Sequence, residues 1–164
     1  MDFIKKNLFK IILTVVLLVG FVFATINFLN AYGVTSLDTF ESFPKYLQSA
    51  MNGAFWTNLG LMIALLGLAV SLILSIFDKK LIASYILIAS GVLALVSFIL
   101  SILAGSDYLA QLKTLMDLAE GTPMFKPSYF EHYNVIVNQV INIVVFALTP
   151  ILFGVKKVLK TNKE

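Results

Sequence analysis

The sequence predicts an all-α integral membrane protein, a bundle of four transmembrane helices with an extracytoplasmic helical cap. Three observations lead to this fold class: four long apolar runs, few charged residues, and lysines concentrated in alternate segments between the runs. A helix of about 20 apolar residues crosses a hydrocarbon core about 30 Å thick, and each run is at least that long. The runs span approximately residues 8–31, 55–77, 81–104 and 133–155.

The composition of the whole chain agrees with this class. Of the 164 residues, 59% are hydrophobic and 13% are charged, and the mean hydropathy is +0.93. Soluble domains carry about 25% charged residues, so this chain has more apolar surface than a water-soluble core of its size would bury. We therefore expect a single membrane domain covering residues 1–164.

The distribution of lysines predicts the orientation of the four spans. Nine of the 12 lysines lie in the N-terminal segment, the connection 78–80 and the C-terminal tail, together with three acidic residues. The loops 32–54 and 105–132 hold three lysines and six acidic residues. Because cytoplasmic segments are enriched in lysine and arginine, both termini are predicted to be cytoplasmic. The use of lysine alone as cation and the absence of an Asn-x-Ser/Thr sequon favour a bacterial plasma membrane.

Each of the two loops on the other side contains a segment that suggests a helix. In loop 32–54, Pro44 opens a helical turn that runs to Met51. In loop 105–132, Ser106 or Asp107 caps a helix over 107–120 that Gly121 ends. This helix either covers the bundle or binds a partner through an apolar face made of Tyr108, Leu112, Leu115 and Met116.

Two spans carry small residues at helical spacing, which is typical of close contacts between transmembrane helices. They are Gly60, Ala64, Gly67, Ser71 and Ser75 in the second span, and Ser90, Ala94, Ser97 and Ser101 in the third. Because the short connection at 78–80 makes the two spans antiparallel neighbours, we expect these faces to pack against each other.

The fourth span carries a polar stripe over the half that follows loop 105–132. Asparagine recurs every fourth residue, at Asn134, Asn138 and Asn142, with Gln139 beside the stripe. Carboxamide groups in hydrocarbon need a protein partner or water. The stripe therefore either forms hydrogen bonds inside the bundle, with Asn27 and Asn30 of the first span as candidates, or lines a water-filled path in an oligomer.

The chain offers little chemistry for catalysis. It has no cysteine, and its single histidine, His132, is accompanied only by scattered carboxylates such as Glu131. These groups are too few for a metal site or a catalytic constellation. We therefore expect no enzyme activity, cofactor or metal. The net charge of +3 is explained by the lysines on the cytoplasmic side, so we expect no nucleic-acid partner.

These observations favour a non-enzymatic structural or interaction subunit of a homo- or hetero-oligomeric membrane complex. Its expected partners are membrane lipid and either a second copy of the chain or another membrane protein. Two alternatives remain open at this stage. One is an oligomeric channel or holin-like pore lined by the asparagine stripe, and the other is an immunity-type protective membrane protein.

Overall fold

A computed structural model describes residues 2–108, 110–111, 114 and 137–161, and its long elements are all helices. Four helices in this part of the chain are long and apolar enough to cross a membrane, which confirms the prediction of four apolar helices. The elements are α1 (Asp2–Thr35), a 3-10 turn (Phe40–Ser42), α2 (Lys45–Ile76), α3 (Lys80–Ala104) and α4, described over 137–161.

The four helices run antiparallel in chain order, each packed along the next. Lys10 of α1 reaches Ser75 near the end of α2, while Phe28 of α1 stacks on Phe55 near the start of α2. Helices α2 and α3 pair in the same way, as do α3 and α4. We call the end with residues 2–10, 77–79 and 156–161 the terminal end, and the opposite end the loop end.

The connection between α1 and α2 is shorter than the predicted loop 32–54. Helix α1 continues to Thr35 and α2 begins at Lys45, so only residues 36–44 separate them. Pro44 precedes the first helical residue, where its missing N–H costs nothing and its ring fixes a suitable φ. The helical turn predicted after Pro44 therefore exists, but it is the first turn of α2 rather than a separate segment.

The turn between α2 and α3 is tight because one residue adopts the left-handed conformation. Asp78 has φ of 57°, a region that Asp tolerates better than most residues. The Lys79 N–H then donates to the Leu74 carbonyl at 2.9 Å, which closes the end of α2. The direction of the chain reverses within three residues, 77–79, and α2 and α3 become antiparallel neighbours, as the short connection predicts.

Helix α4 changes its winding in the middle. Residues Ile143–Leu148 are π-helical and Thr149–Thr161 return to α-helix. Pro150 has no N–H to donate to the preceding turn, and a wider turn before it accommodates that loss. The Thr149 hydroxyl donates to the Val144 carbonyl at 2.7 Å in the same place. The helix thus continues past Pro150, with a π-helical turn before it.

The fold gathers the lysine-rich segments at the terminal end. In the part of the chain that the structure describes, eight lysines lie there, and only Lys45 lies at the loop end. The eight are Lys5, Lys6, Lys10, Lys79, Lys80, Lys156, Lys157 and Lys160. Lys10 is half-buried, and its Nζ donates to the Ser75 hydroxyl at 3.2 Å, beside the carbonyl-rich end of α2.

The interior lies between α2, α3 and α4. Its fully buried apolar residues are Ala64, Ala94, Phe98 and Ala147. Helix α1 is peripheral, since it packs mainly on α2 and most of its apolar side chains are exposed. The residues of α1 that are buried recur at helical spacing along one stripe; they are Asn7, Thr14, Ala24 and Ala31.

Candidate functional site

The small residues of α2 and α3 meet along the seam between these two helices. Gly67 lies so close to Ser90 that an added Cβ would overlap the Ser90 side chain, and a Cβ on Gly60 would lie 2.7 Å from the Phe98 ring. Two other members, Ala64 and Ala94, belong to the fully buried core. Ser71, Ser97 and Ser101 are also buried, whereas Ser75 is half-buried and contacts Lys10 of α1.

A second close seam, between α3 and α4, was not predicted. A Cβ on Gly91 would lie 2.8 Å from the Ala147 carbonyl oxygen, and one on Gly154 would lie 2.7 Å from the Ser84 carbonyl oxygen. These are backbone contacts, so the helices could not accept a larger residue without separating. The spacing of Ala147 and Gly154, seven residues apart, is the signal in the sequence that points to this seam.

Gln139 joins α4 to the other two helices at the loop end. Its Nε2 donates to Thr57 Oγ1 on α2 at 2.9 Å and to Ser101 Oγ on α3 at 3.3 Å. The two hydroxyl oxygens are 2.6 Å apart, and both contact the Gly53 carbonyl oxygen, at 2.9 Å from Thr57 and 2.8 Å from Ser101. We call Thr57, Ser101, Gln139 and the Gly53 carbonyl the polar cluster.

One atom of the polar cluster has no hydrogen-bond partner among the described residues. The two hydroxyl protons are used within the cluster, one for the Gly53 carbonyl and one for the neighbouring hydroxyl. In the structure the Gln139 Nε2 faces the two hydroxyl oxygens, so the amide acts as the donor to both of them. Its other end, Oε1, is buried and has no hydrogen-bond partner among the described residues.

The other members of the polar stripe are placed differently from Gln139. Asn138 is exposed and Asn142 is half-buried, and neither makes a side-chain hydrogen bond to another helix in the described part of the chain. Asn27 and Asn30, the predicted partners, are exposed on α1. The structure therefore shows no bond from Asn138 or Asn142 to these two candidates among the described residues, because α1 packs mainly on α2. Asn134 lies outside the described residues.

A cleft opens beside the polar cluster, between the loop-end parts of α2, α3 and α4. Its volume is about 440 Å³, and its walls are mainly apolar, with Ala50, Ala54, Ile102 and Val140 among them. Gln139 lies in the lining together with Thr57 and Ser101. Asn58 also faces the cleft, and its Nδ2 donates to the Ala54 carbonyl at 2.8 Å.

Tyr108 lies at the edge of this cleft rather than on a free surface. It is half-buried, and its backbone N–H donates to the Ser49 hydroxyl at 3.2 Å, while Ser49 donates to the Ala104 carbonyl. These bonds join the start of α2 to the residues that follow α3. The other three members of the predicted partner face, Leu112, Leu115 and Met116, lie outside the described residues.

A second apolar groove, of about 380 Å³, lies nearer the terminal end between α1 and α4. Leu13 and Leu17 of α1 form one wall, Val145 and Phe153 of α4 form the other, and Ser71 of α2 lies in the floor. This groove shows that the bundle is open between its first and last helices.

The described residues that line the loop-end cleft are all uncharged, and they include no Asp, Glu, Lys, Arg or His. Among the described residues, no group of three or more potential metal ligands is found. Comparison with known proteins gives no match, either to a protein-family model, to a curated protein or to a solved structure.

Proposed function

We propose that this protein spans a membrane four times, with its terminal end in the cytoplasm, and acts as a non-enzymatic interaction subunit of a membrane complex. The gathering of eight described lysines at the terminal end supports the orientation, because cytoplasmic segments are enriched in such residues. A bacterial plasma membrane fits the lysine-only cation content. The partner in the complex is a second copy of the chain or another membrane protein.

One observation carries the interaction role, namely the exposure of Asn138 within an apolar face of α4. Its neighbours Val137, Val140 and Ile141 are 49%, 54% and 47% exposed, so this face would contact lipid in an isolated chain. A carboxamide facing hydrocarbon without a hydrogen-bond partner costs free energy. A second protein at this face would supply the partner and remove that cost.

Association through Asn138 is tested by measuring the mass of the protein in nanodiscs and the yield of a cross-linked complex in native membranes. We expect Asn138→Leu to weaken association about fivefold, which corresponds to one interhelical hydrogen bond of about 1 kcal/mol. Ile141→Leu, a change on the same exposed face without a polar group, is the control. Equal association of wild type and Asn138→Leu would contradict the proposed interface.

A channel or holin-like pore is the second candidate, and the surface position of Asn138 favours it over burial of the stripe within one chain. In a ring of copies, Asn138 and Asn142 would line the central path. This alternative predicts about five or more copies and a conductance that Asn138→Leu changes. A monomer or dimer that conducts no ions would exclude the pore and leave the interaction subunit.

A further inference from the structure

We propose that the loop-end cleft binds an uncharged amphiphile whose head group is a hydroxyl, and that this hydroxyl donates a hydrogen bond to Gln139 Oε1. Long-chain alcohols and diacylglycerol-like lipids belong to this chemical class. The proposal rests on the membrane location proposed above, since the membrane supplies such molecules. It does not depend on a partner bound through Asn138.

The size and walls of the cleft suit an apolar ligand. Small-molecule sites are typically concave, about 300–1,000 Å³ in volume and mostly apolar, with a few polar groups that fix orientation. The cleft has a volume of about 440 Å³, and small side chains such as Ala50 and Ala54 leave its α2 wall open. Ile102 and Val140 supply apolar contact from α3 and α4.

The polar group that would fix the ligand's orientation is an acceptor. Gln139 Oε1 has no partner in the described part of the chain, although the rest of the polar cluster is satisfied, and since less than 1 Å² of its surface is accessible, the amide must turn toward the cleft to meet a ligand. An unsatisfied buried polar atom raises the free energy of the folded protein, so a ligand that donates to it gains a corresponding advantage. The ligand must therefore carry an O–H or N–H donor at this point.

The uncharged residues described in the cleft lining limit which hydrogen-bond donor group a ligand can carry. Among the described residues that line the cleft, no Asp or Glu is present to neutralise an ammonium group, and no Lys or Arg to neutralise a phosphate. Burying an unpaired charge is far more costly than burying a neutral polar group. A neutral hydroxyl is the donor that such a site accepts at least cost and that neutral membrane amphiphiles carry.

The experiment uses the whole protein in nanodiscs and a long-chain alcohol that carries a photoreactive diazirine in its chain. The matched probe is the methyl ether of the same alcohol, which fills the same space but has no donor. After irradiation, mass spectrometry locates the labelled residues. We expect the alcohol to label the cleft walls of α2, α3 and α4 about five- to tenfold more than the ether, as one retained hydrogen bond implies.

Two variants distinguish the contribution of the Gln139 hydrogen bond from that of the cleft volume. Gln139→Leu should abolish the preference for alcohol over ether. Ala54→Phe should abolish labelling of the cleft by both probes, because it fills the cleft without replacing any member of the polar cluster. Asn138→Leu, an amide-to-leucine change on the adjacent exposed face, should leave the preference intact even if it weakens association. Each variant is first compared with wild type in thermal unfolding, so that only folded proteins are labelled.

Equal labelling of the wild-type cleft by alcohol and ether would overturn the proposal. The absence of labelling by both probes would also overturn it, since water or the chain itself would then occupy the cleft. Labelling that persists in Ala54→Phe would place the probe elsewhere and contradict the assignment.

Discussion

The two halves of the unit formed by α2, α3 and α4 are held together by different contacts. Toward the terminal end, Gly67 packs against the small Ser90 side chain, and Gly91 and Gly154 lie against the backbone carbonyl oxygens of Ala147 and Ser84. Toward the loop end, the side chains of Thr57, Ser101 and Gln139 connect the helices by hydrogen bonds beside a cleft. In the first half the α2–α3 and α3–α4 seams are closed by glycine contacts, with the second groove lying outside them between α1, α2 and α4, while the loop-end half is joined through side chains beside its cleft.

This difference shows where a small bundle can bind a ligand. A glycine contact brings two backbones together and leaves no volume between them. The hydroxyl–amide cluster connects α4 to α2 and α3 through side chains, and the cleft lies beside this connection. We therefore expect substitutions in the closed half to affect stability most, and substitutions in the open half to affect binding most.

The largest effect is expected in the closed half, from Gly67→Ala. Its new methyl group would overlap the Ser90 side chain, so α2 and α3 must separate. Overpacking of this kind costs about 1–3 kcal/mol. The free energy of unfolding in detergent or lipid bicelles measures the loss, and Gly33→Ala is the control, because no atom lies within 4 Å of the methyl group it adds.

The double variant Gly67→Ala with Ser90→Gly sharpens this test, since it removes the side chain that causes the overlap. We expect it to recover most of the stability that Gly67→Ala loses, as a coupling between contacting residues. A Gly67→Ala protein as stable as wild type would show that the two helices are not in contact at this level.

An intermediate effect is expected in the open half, from Gln139→Leu. The change removes the two hydrogen bonds that reach α2 and α3, while Thr57 and Ser101 still bond to each other and to the Gly53 carbonyl. An interhelical bond contributes about 0.6 kcal/mol on average, and the change also removes the unpartnered Gln139 Oε1, so we expect a loss of at most about 1 kcal/mol in the free energy of unfolding. Asn142→Leu removes an amide that bonds to no other helix among the described residues, and its loss should be smaller. Equal losses in both variants would argue against the polar cluster.

The smallest effect is expected at the edge of the bundle, from Lys10→Met. Lys10 donates to the Ser75 hydroxyl and lies near the last carbonyls of α2, where a cation is favourable by about 0.3–1 kcal/mol. Lys6→Met, an exposed position on the same helix, removes the same charge without this contact. We expect Lys10→Met to unfold more easily than Lys6→Met in low salt. Identical stability of the two variants would mean that the contact contributes nothing measurable.

The sequence predicted the parts of this structure that depend on local pattern. Apolar runs identified the four helices, and regular spacing of small residues identified members of the α2–α3 seam such as Gly67 and Ser90. The start of α2 was placed too late because residues 45–54 are more polar than the run that follows. A helix can continue beyond an apolar run wherever its polar residues are exposed or capped, so hydropathy alone does not give its end.

The polar cluster could not be predicted from the stripe that contains Gln139. Regular helical spacing puts Asn138 and Asn142 on one face, but which face turns inward depends on how α4 rotates against α3. The contacts of Ala147 and Gly154 with α3 set that rotation, and the π-helical turn at Ile143–Leu148 shifts it within α4. As a result Gln139 faces the other helices and Asn138 faces outward. The predicted helix 107–120 lies mostly outside the described residues.

The contrast between an open loop-end half and a closed interior is tested most directly by the reactivity of two single cysteines. The chain has no cysteine, so Ala54→Cys in the cleft and Ala94→Cys in the core each introduce one defined thiol. A small neutral alkylating reagent is applied to the folded and the denatured protein. We expect Ala54→Cys to react readily in the folded protein and Ala94→Cys to react only after denaturation. Protection of both thiols, or reaction of both in the folded state, would contradict this description of the bundle.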